Sequence, residues 1–389
     1  MQTKATLKTR SLLLILASVI IAFCSCSRSV PNKPLLLRVD PKSPKILEID
    51  KYFIDVKYIP LETSDECLIG TIKKFIKADG KYYLQTENHE LLVFSESGLY
   101  INKISSKGRG PGEYIGLEDF DVTDNGRIFI WDWSSRKMIV YDDQCRFQNS
   151  YSLEISFINF RVLPNGKILA YCDRYNNHQI AIIDLSDNSI ALFLPWLPEQ
   201  SALKVLISER LSDRGPAYCF TLRGNNTIYE VFNDSIVPIA SVDFGSNQKD
   251  ISGKTDEKPM IIIDNQVRGL TLSGKMGDLS TFLDFPQFAY LQYLTGVINT
   301  HAIWDKQTNE VYYSISPQNS LSVMAFNAST NTSNTALQLI TGNTFVNNFK
   351  NAEDKDLIRQ RFARGSPDNL TPDSNPIIVE YLVKGNKRK

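Results

Sequence analysis

The sequence predicts an all-β fold, a six-bladed β-propeller of four-stranded antiparallel blades. Three observations lead there. Short runs rich in Ile, Val, Tyr and Phe recur after residue 50, separated by Asp-Gly, Asn-Gly and Ser-Gly turns. Three units align, at 72–104, 117–151 and 157–193, each reading strand, hairpin, strand, polar loop, strand, turn, strand. Their hairpin glycines, Gly80, Gly126 and Gly166, lie 46 and 40 residues apart. A period of roughly 40–50 residues with four strands per unit is that of propeller blades.

The remaining elements follow in chain order. A fourth unit, 217–244, is looser, and a polar stretch with some helical character occupies 247–282. Strands resume at 287–293, 298–304 and 310–316. A charged helical pattern, "AEDKDLIRQRFARG", precedes the last strand, "NPIIVEYLV" at 375–383. The segment "YFIDVKYIPL" at 52–61 has no partners in its own unit. A propeller ring must close, so 52–61 is expected to pair with 375–383. The count is best taken as six blades, with five or seven left open.

Residues 1–26 read as a lipoprotein signal peptide. Lys4, Lys8 and Arg10 form a basic start, and the apolar run from Leu12 to Phe23 is shorter than the about 20 residues of a membrane span. It ends in "FCSCS", where Ser25 fits the position before a lipidated Cys26 and Phe23 does not fit before Cys24. Residues 27–46, rich in Pro, Ser and Lys, read as a tether, and 47–384 as the propeller. The expected address is the cell envelope, lipid-anchored at the outer membrane. "SRSV" after Cys26 has no acidic run, which favours the periplasmic side over the cell surface.

With 43 basic and 43 acidic side chains in 389 residues, the chain has no net charge, which argues against a general nucleic-acid binder. Cys67, Cys145, Cys172 and Cys219 lie far apart without CxxC spacing, so zinc-ribbon patterns are absent. Export permits disulfides, but four apolar thiols fit the spacing equally well, and neither pairing nor its absence is readable.

"KGRGPGEY", "GLEDFDV" and "RIFIWD", with "YIPLE" upstream and "NPIIVEYLVK" at the end, resemble the six-bladed β-propeller lipoproteins of Bacteroidetes, relatives of NHL-type propellers. The resemblance covers about 50–384 and implies fold and envelope location. It carries no catalytic residue, because that family has no established common reaction.

The loop "SSKGRGPGEY", 105–114, connects the first two blades. Its glycines suit a chain crossing a blade's radius, and Pro111 stiffens one turn. A phosphate-binding Walker loop would need GxxxxGK[ST] between strand and helix, which is absent. In a four-stranded meander this connection emerges on the same face as the second-to-third-strand loops "ENHE", "SSRK" and "NNHQ". That face is expected to gather Arg109, Glu113, His89, Arg136 and His178, with Arg214 from "DRGPAY" and Trp133 at a strand end. The competing reading is that loop residues are polar because loops are wet. His301 is placed on an inner strand lining the channel, as a ligand contact or as a hydrogen-bonded structural histidine.

Other motifs give no catalytic or metal signature. "DVTDNGRIFIWD" spaces oxygens like a calcium loop but alternates as a hairpin and ends in Asp132 rather than Glu. "HELLV" lacks the second histidine of a zinc motif, and no GxSxG elbow occurs. Trp131 is expected between blades. No metal and no cofactor is expected. The leading functional reading is a membrane-anchored propeller binding a small molecule, glycan or envelope protein at one face without catalysis. The alternatives are a lyase or hydrolase acting in the channel, using an acid-base pair such as Glu113 with a histidine, or a metal, and a structural part of an outer-membrane complex.

Overall fold

The computed structural model describes residues 34–39, 47–172, 176–196, 218–222, 225–232, 234–247, 276–295, 298–314, 330–332 and 335–384. No helix among them is long and apolar enough to cross a membrane. Six four-stranded sheets form a ring. The chain begins with β1 (Leu35–Arg38) and β2 (Phe53–Pro60), which complete blades built much later. Blade 1 is β3 (Ile72–Ala78), β4 (Lys81–Thr86), β5 (Leu91–Ser95) and β6 (Tyr100–Ile104). Blade 2 is β7 (Asp119–Val122), β8 (Ile128–Asp132), β9 (Lys137–Tyr141) and β10 (Phe147–Ser152). Blade 3 is β11 (Phe157–Val162), β12 (Ile168–Cys172), β13 (His178–Asp184) and β14 (Ser189–Pro195).

Blade 4 has three strands of its own, β15 (Cys219–Thr221), β16 (Thr227–Phe232) and β17 (Ser235–Asp243), with β1 added parallel to β17. Blade 5 is β18 (Met276–Asp284), β19 (Phe288–Thr295), β20 (Ile298–Asp305) and β21 (Glu310–Ser314). Blade 6 is β22 (Thr330–Thr332), β23 (Thr335–Ile340) and β24 (Ile377–Val383), closed by β2, with Phe53 opposite Val383 and Pro60 opposite Ile377. The expected pairing of 52–61 with 375–383 is therefore the closure. Two departures stand out. Residues 35–38, expected in the tether, are the fourth strand of blade 4. The stretch expected to be polar and helical ends in β18, the first strand of blade 5.

The burial pattern follows from a strand's place in its blade. The inner strand β7, "DFDV", is buried throughout, whereas the outer strand β10, "FQNSYS", is mostly exposed. Among the described residues the apolar side chains gather in six clusters, one at each seam between neighbouring blades. At the seam of blades 2 and 3, Trp131 lies against Phe157 with ring centroids 4.0 Å apart and donates its indole N–H to the Phe157 carbonyl. Each blade thus buries its faces against its neighbours, and the ring has no single central core.

Between β23 and β24 the chain leaves the sheet for α1 (Gly342–Lys350) and α2 (Lys355–Gln360). The Thr341 and Asp354 side chains cap them, accepting from the N–H groups of Thr344 and Leu357. The excursion packs Phe345, Phe349 and Ile358 with Tyr58 and Val56. Tyr58 then exchanges backbone bonds with Arg361 and Ala363, which covers part of the exposed edge of β2.

Candidate functional site

The blade 1–blade 2 connection folds into a clasp. Glu113 turns back into its own loop, where Oε2 accepts the Gly110 N–H at 2.8 Å, and a Cβ at Gly108 would run into the same carboxylate. Tyr114 donates its hydroxyl to the carbonyls of His89 and Ile104, and Tyr141 donates to that of Gly112. Gly112 is the position that requires glycine: its φ is +72° and a Cβ there would lie 2.8 Å from the Phe147 side chain. Gly110 has no positive φ.

Three of the charged and aromatic residues expected on this face, Glu113, His89 and Trp133, bond to neighbouring protein groups. The His89 Nδ1 lies 3.1 Å from the Leu117 carbonyl, which ties the blade 1 turn to the entry of blade 2. Trp133 is 48% exposed and donates Nε1–H to Ser156 Oγ. Arg136 occupies the left-handed position of a turn whose Asp132 accepts from Ser134 and Ser135. Asn188 and Asn309 hold the same place in turns opened by Asp184 and Asp305. His178 begins β13, with Nδ1 buried and unbonded among the described residues. Arg109 and Arg136 point to solvent with no ion pair among the described residues. Arg214 and Cys26 lie outside the described residues.

His301 is not on an inner strand. It sits on β20, the third strand of blade 5, 8% exposed, with Nδ1 2.7 Å from the Tyr290 hydroxyl. With β18 as the first strand of blade 5, β20 is the third, one place further from the channel than the second-strand position it would hold if the blade began at 287–293, and neither place is the inner strand expected for His301. Burial holds its imidazole below the usual pKa. Cys67, Cys145, Cys172 and Cys219 are free thiols. Among the described residues no cluster of three or more His, Cys, Asp or Glu could hold a metal ion.

The inner wall carries a polar network absent from the expected site. Strand β7 presents Asp119 and Asp121 towards blade 3, and one oxygen of each accepts from the edge N–H of Phe160 at 2.8 Å and Val162 at 2.7 Å. The Lys74 ammonium of blade 1 donates to Asp119 Oδ1 at 2.6 Å and to the Phe120 carbonyl at 2.7 Å. Gln85 donates to the carbonyls of Leu117 and Glu118. An inner strand has no sheet neighbour on its channel side, so its edge groups need partners from elsewhere. "DFD" supplies them for blade 3. At the ring closure Glu380 of β24 accepts from Lys77 and Tyr82 of blade 1, at 2.5 and 2.7 Å.

The concave feature lies on the other side, where the first-to-second-strand hairpins emerge. A cleft of about 610 Å³ opens between blades 2 and 3, lined among others by Asn125, Arg127, Phe129, Tyr151, Asp184 and Tyr218. Two hairpins of the 40-residue repeat, "TDNGR" and "PNGK", bring it together by standing side by side. Ser186 bonds and the Lys167 ammonium hold Asp184 below the usual carboxylate range. Lys167 itself reaches Asp234 at 2.6 Å. The Arg127 guanidinium lies over the Phe129 ring, 5.4 Å from its centroid. Sequence reading dismissed this hairpin as a failed calcium loop and so missed the cleft. The repeated Asn-Gly hairpins were the signal for it.

Ring, seams and cleft define a six-bladed β-propeller with a ligand-sized concavity between blades 2 and 3. The chain belongs to the family described as "Domain of unknown function (DUF4934)", whose profile matches residues 37–381. No curated protein matches it. A solved Bacteroides fragilis protein, named for its inferred export, is similar in fold: 18% identity, TM-score 0.65, covering 90% of this chain and 99% of that one. A DUF4221 member from Bacteroides vulgatus matches at 12% identity and TM-score 0.43, covering 67% of this chain and 85% of that one. Virginiamycin B lyase from Staphylococcus aureus matches at 12% and 0.38, covering 67% and 73%.

Proposed function

We propose that this protein is a lipid-anchored cell-envelope propeller that binds a small molecule or glycan in the cleft between blades 2 and 3, without catalysing a reaction. The cleft carries the reading: its volume of about 610 Å³ falls in the roughly 300–1,000 Å³ range of ligand sites, and it combines aromatic and polar walls. The anchor rests on the Ser25–Cys26 lipobox. The periplasmic side of the outer membrane suits the segment after Cys26, which has no acidic run. The acid-base pair named for the enzymatic alternative has Glu113 as its example, and that carboxylate is bonded within its own loop.

The test is a binding screen of the mature protein against oligosaccharides by saturation-transfer NMR. Ser186→Trp, which places an indole in the cleft, is expected to abolish the signal, while Trp133→Ala and Arg136→Ala on the opposite face leave it. The reverse pattern would move the site to the face of the blade entries.

A further inference from the structure

The polar groups around the cleft are unequally spent. Asp184 takes bonds from the Ser186 N–H and hydroxyl and lies 3.8 Å from the Lys167 ammonium. Lys167 also bonds Asp234, and Asn165 donates to Asp234. Asn125 accepts from the Thr123 hydroxyl through its side-chain oxygen, which leaves its NH₂ free among the described residues. Arg127 is exposed, and among the described residues its guanidinium meets no carboxylate and no carbonyl. Its one contact is the ring of Phe129, itself 3% exposed and therefore a fixed platform. Stacking on an aromatic face orients the planar fork and leaves its donors aimed outward. The walls thus offer unspent donors and largely spent acceptors.

We propose that the cleft recognises a singly charged carboxylate on a sugar acid, with Arg127 as the group that selects it. This rests on reading the cleft as the binding site. A guanidinium fork matches a carboxylate or a phosphate bidentately. The same lining also holds Asp124 and Asp184, so a doubly charged phosphate meets two aspartates for one arginine. The Tyr151 and Tyr218 side chains give the cleft amphipathic surfaces suited to a pyranose ring and its hydroxyls.

Calorimetric titrations of the mature protein test this, using a uronic-acid oligosaccharide, its methyl ester, and inorganic phosphate. The acid should bind tenfold or more tighter than the ester, and phosphate alone more weakly than either. Arg127→Gln should bring the acid down to the ester's affinity while leaving the ester unchanged, and Arg127→Lys should fall between. Equal affinity of wild type for acid and ester would overturn the proposal, as would tighter phosphate binding or a preference that survives Arg127→Gln. Ser186→Trp separates the two readings. If it blocks an ester bound as tightly as the acid, the cleft stands and the carboxylate falls. If neither Ser186→Trp nor Arg127→Gln weakens the acid, the cleft itself is wrong.

Discussion

Removing the Asp119 carboxylate should damage the ring more than any other single change on its inner wall. Asp119 is 3% exposed and serves two partners, the Lys74 ammonium at 2.6 Å and the Phe160 N–H at 2.8 Å. In Asp119→Ala the ammonium is left in a site where its side chain is 6% exposed, with one carbonyl for company. Breaking a buried pair from one side costs about 3–5 kcal/mol, and the unpaired N–H adds about 1–3 kcal/mol. Against a typical total stability of about 5–15 kcal/mol, that approaches unfolding. The pair need not be strongly stabilising in itself, because two charges must be desolvated to form it. Lys74→Met combined with Asp119→Ala should therefore recover much of the loss and leave mainly the cost of the N–H. Urea denaturation of the two single variants and the double variant gives the cycle. If Asp119→Ala unfolds within about 0.5 kcal/mol of wild type, as ordinary surface changes do, the carboxylate is not a seam staple.

Gly112→Ala should lower the melting temperature by the roughly 1–2 kcal/mol of a left-handed residue plus its collision with Phe147, whereas Gly110→Ala, at ordinary φ, should cost less; differential scanning calorimetry ranks them. His301 is held neutral by burial, so its contribution is fully present above the ordinary pKa of 6.5 and is lost as pH falls through the lower folded value. Denaturation midpoints measured from pH 7 down to pH 5 should therefore fall less steeply in His301→Gln than in wild type. Cys26→Ala should release the protein from membranes into the soluble fraction, and a variant that still pelleted after a high-salt wash would refute the lipobox.

The blades were legible because hairpin turns have obligatory chemistry. Gly80, Gly126 and Gly166 all take positive φ, so their spacing marks the repeat directly. Ring closure was legible because a strand without partners must find one. The first strand of blade 5 was hidden, since "MGDLSTFLD" lacks the alternation of a half-buried strand and its mean polarity resembles a loop. The strand at 35–38 was hidden by brevity: four residues among prolines and lysines carry no period. At the site, residue type misled more than pattern. Glu113 and His89 have functional side chains, yet each is spent on a bond to nearby backbone that only the folded loop reveals. Asp119 and Asp121 looked like ordinary strand residues, because the need they meet belongs to the edge of another blade. Arg127 stood in plain view, but that it meets the Phe129 ring and no carboxylate among the described residues is a fact about three dimensions.

The most direct measurement of the central claim is a crystal structure of the mature protein grown with a uronic-acid oligosaccharide. The account predicts sugar density between blades 2 and 3, with a carboxylate on the Arg127 guanidinium and ring atoms against Tyr151 or Tyr218. Density on the opposite face, at Arg109, Trp133 and Arg136, with the cleft holding only solvent, would contradict it.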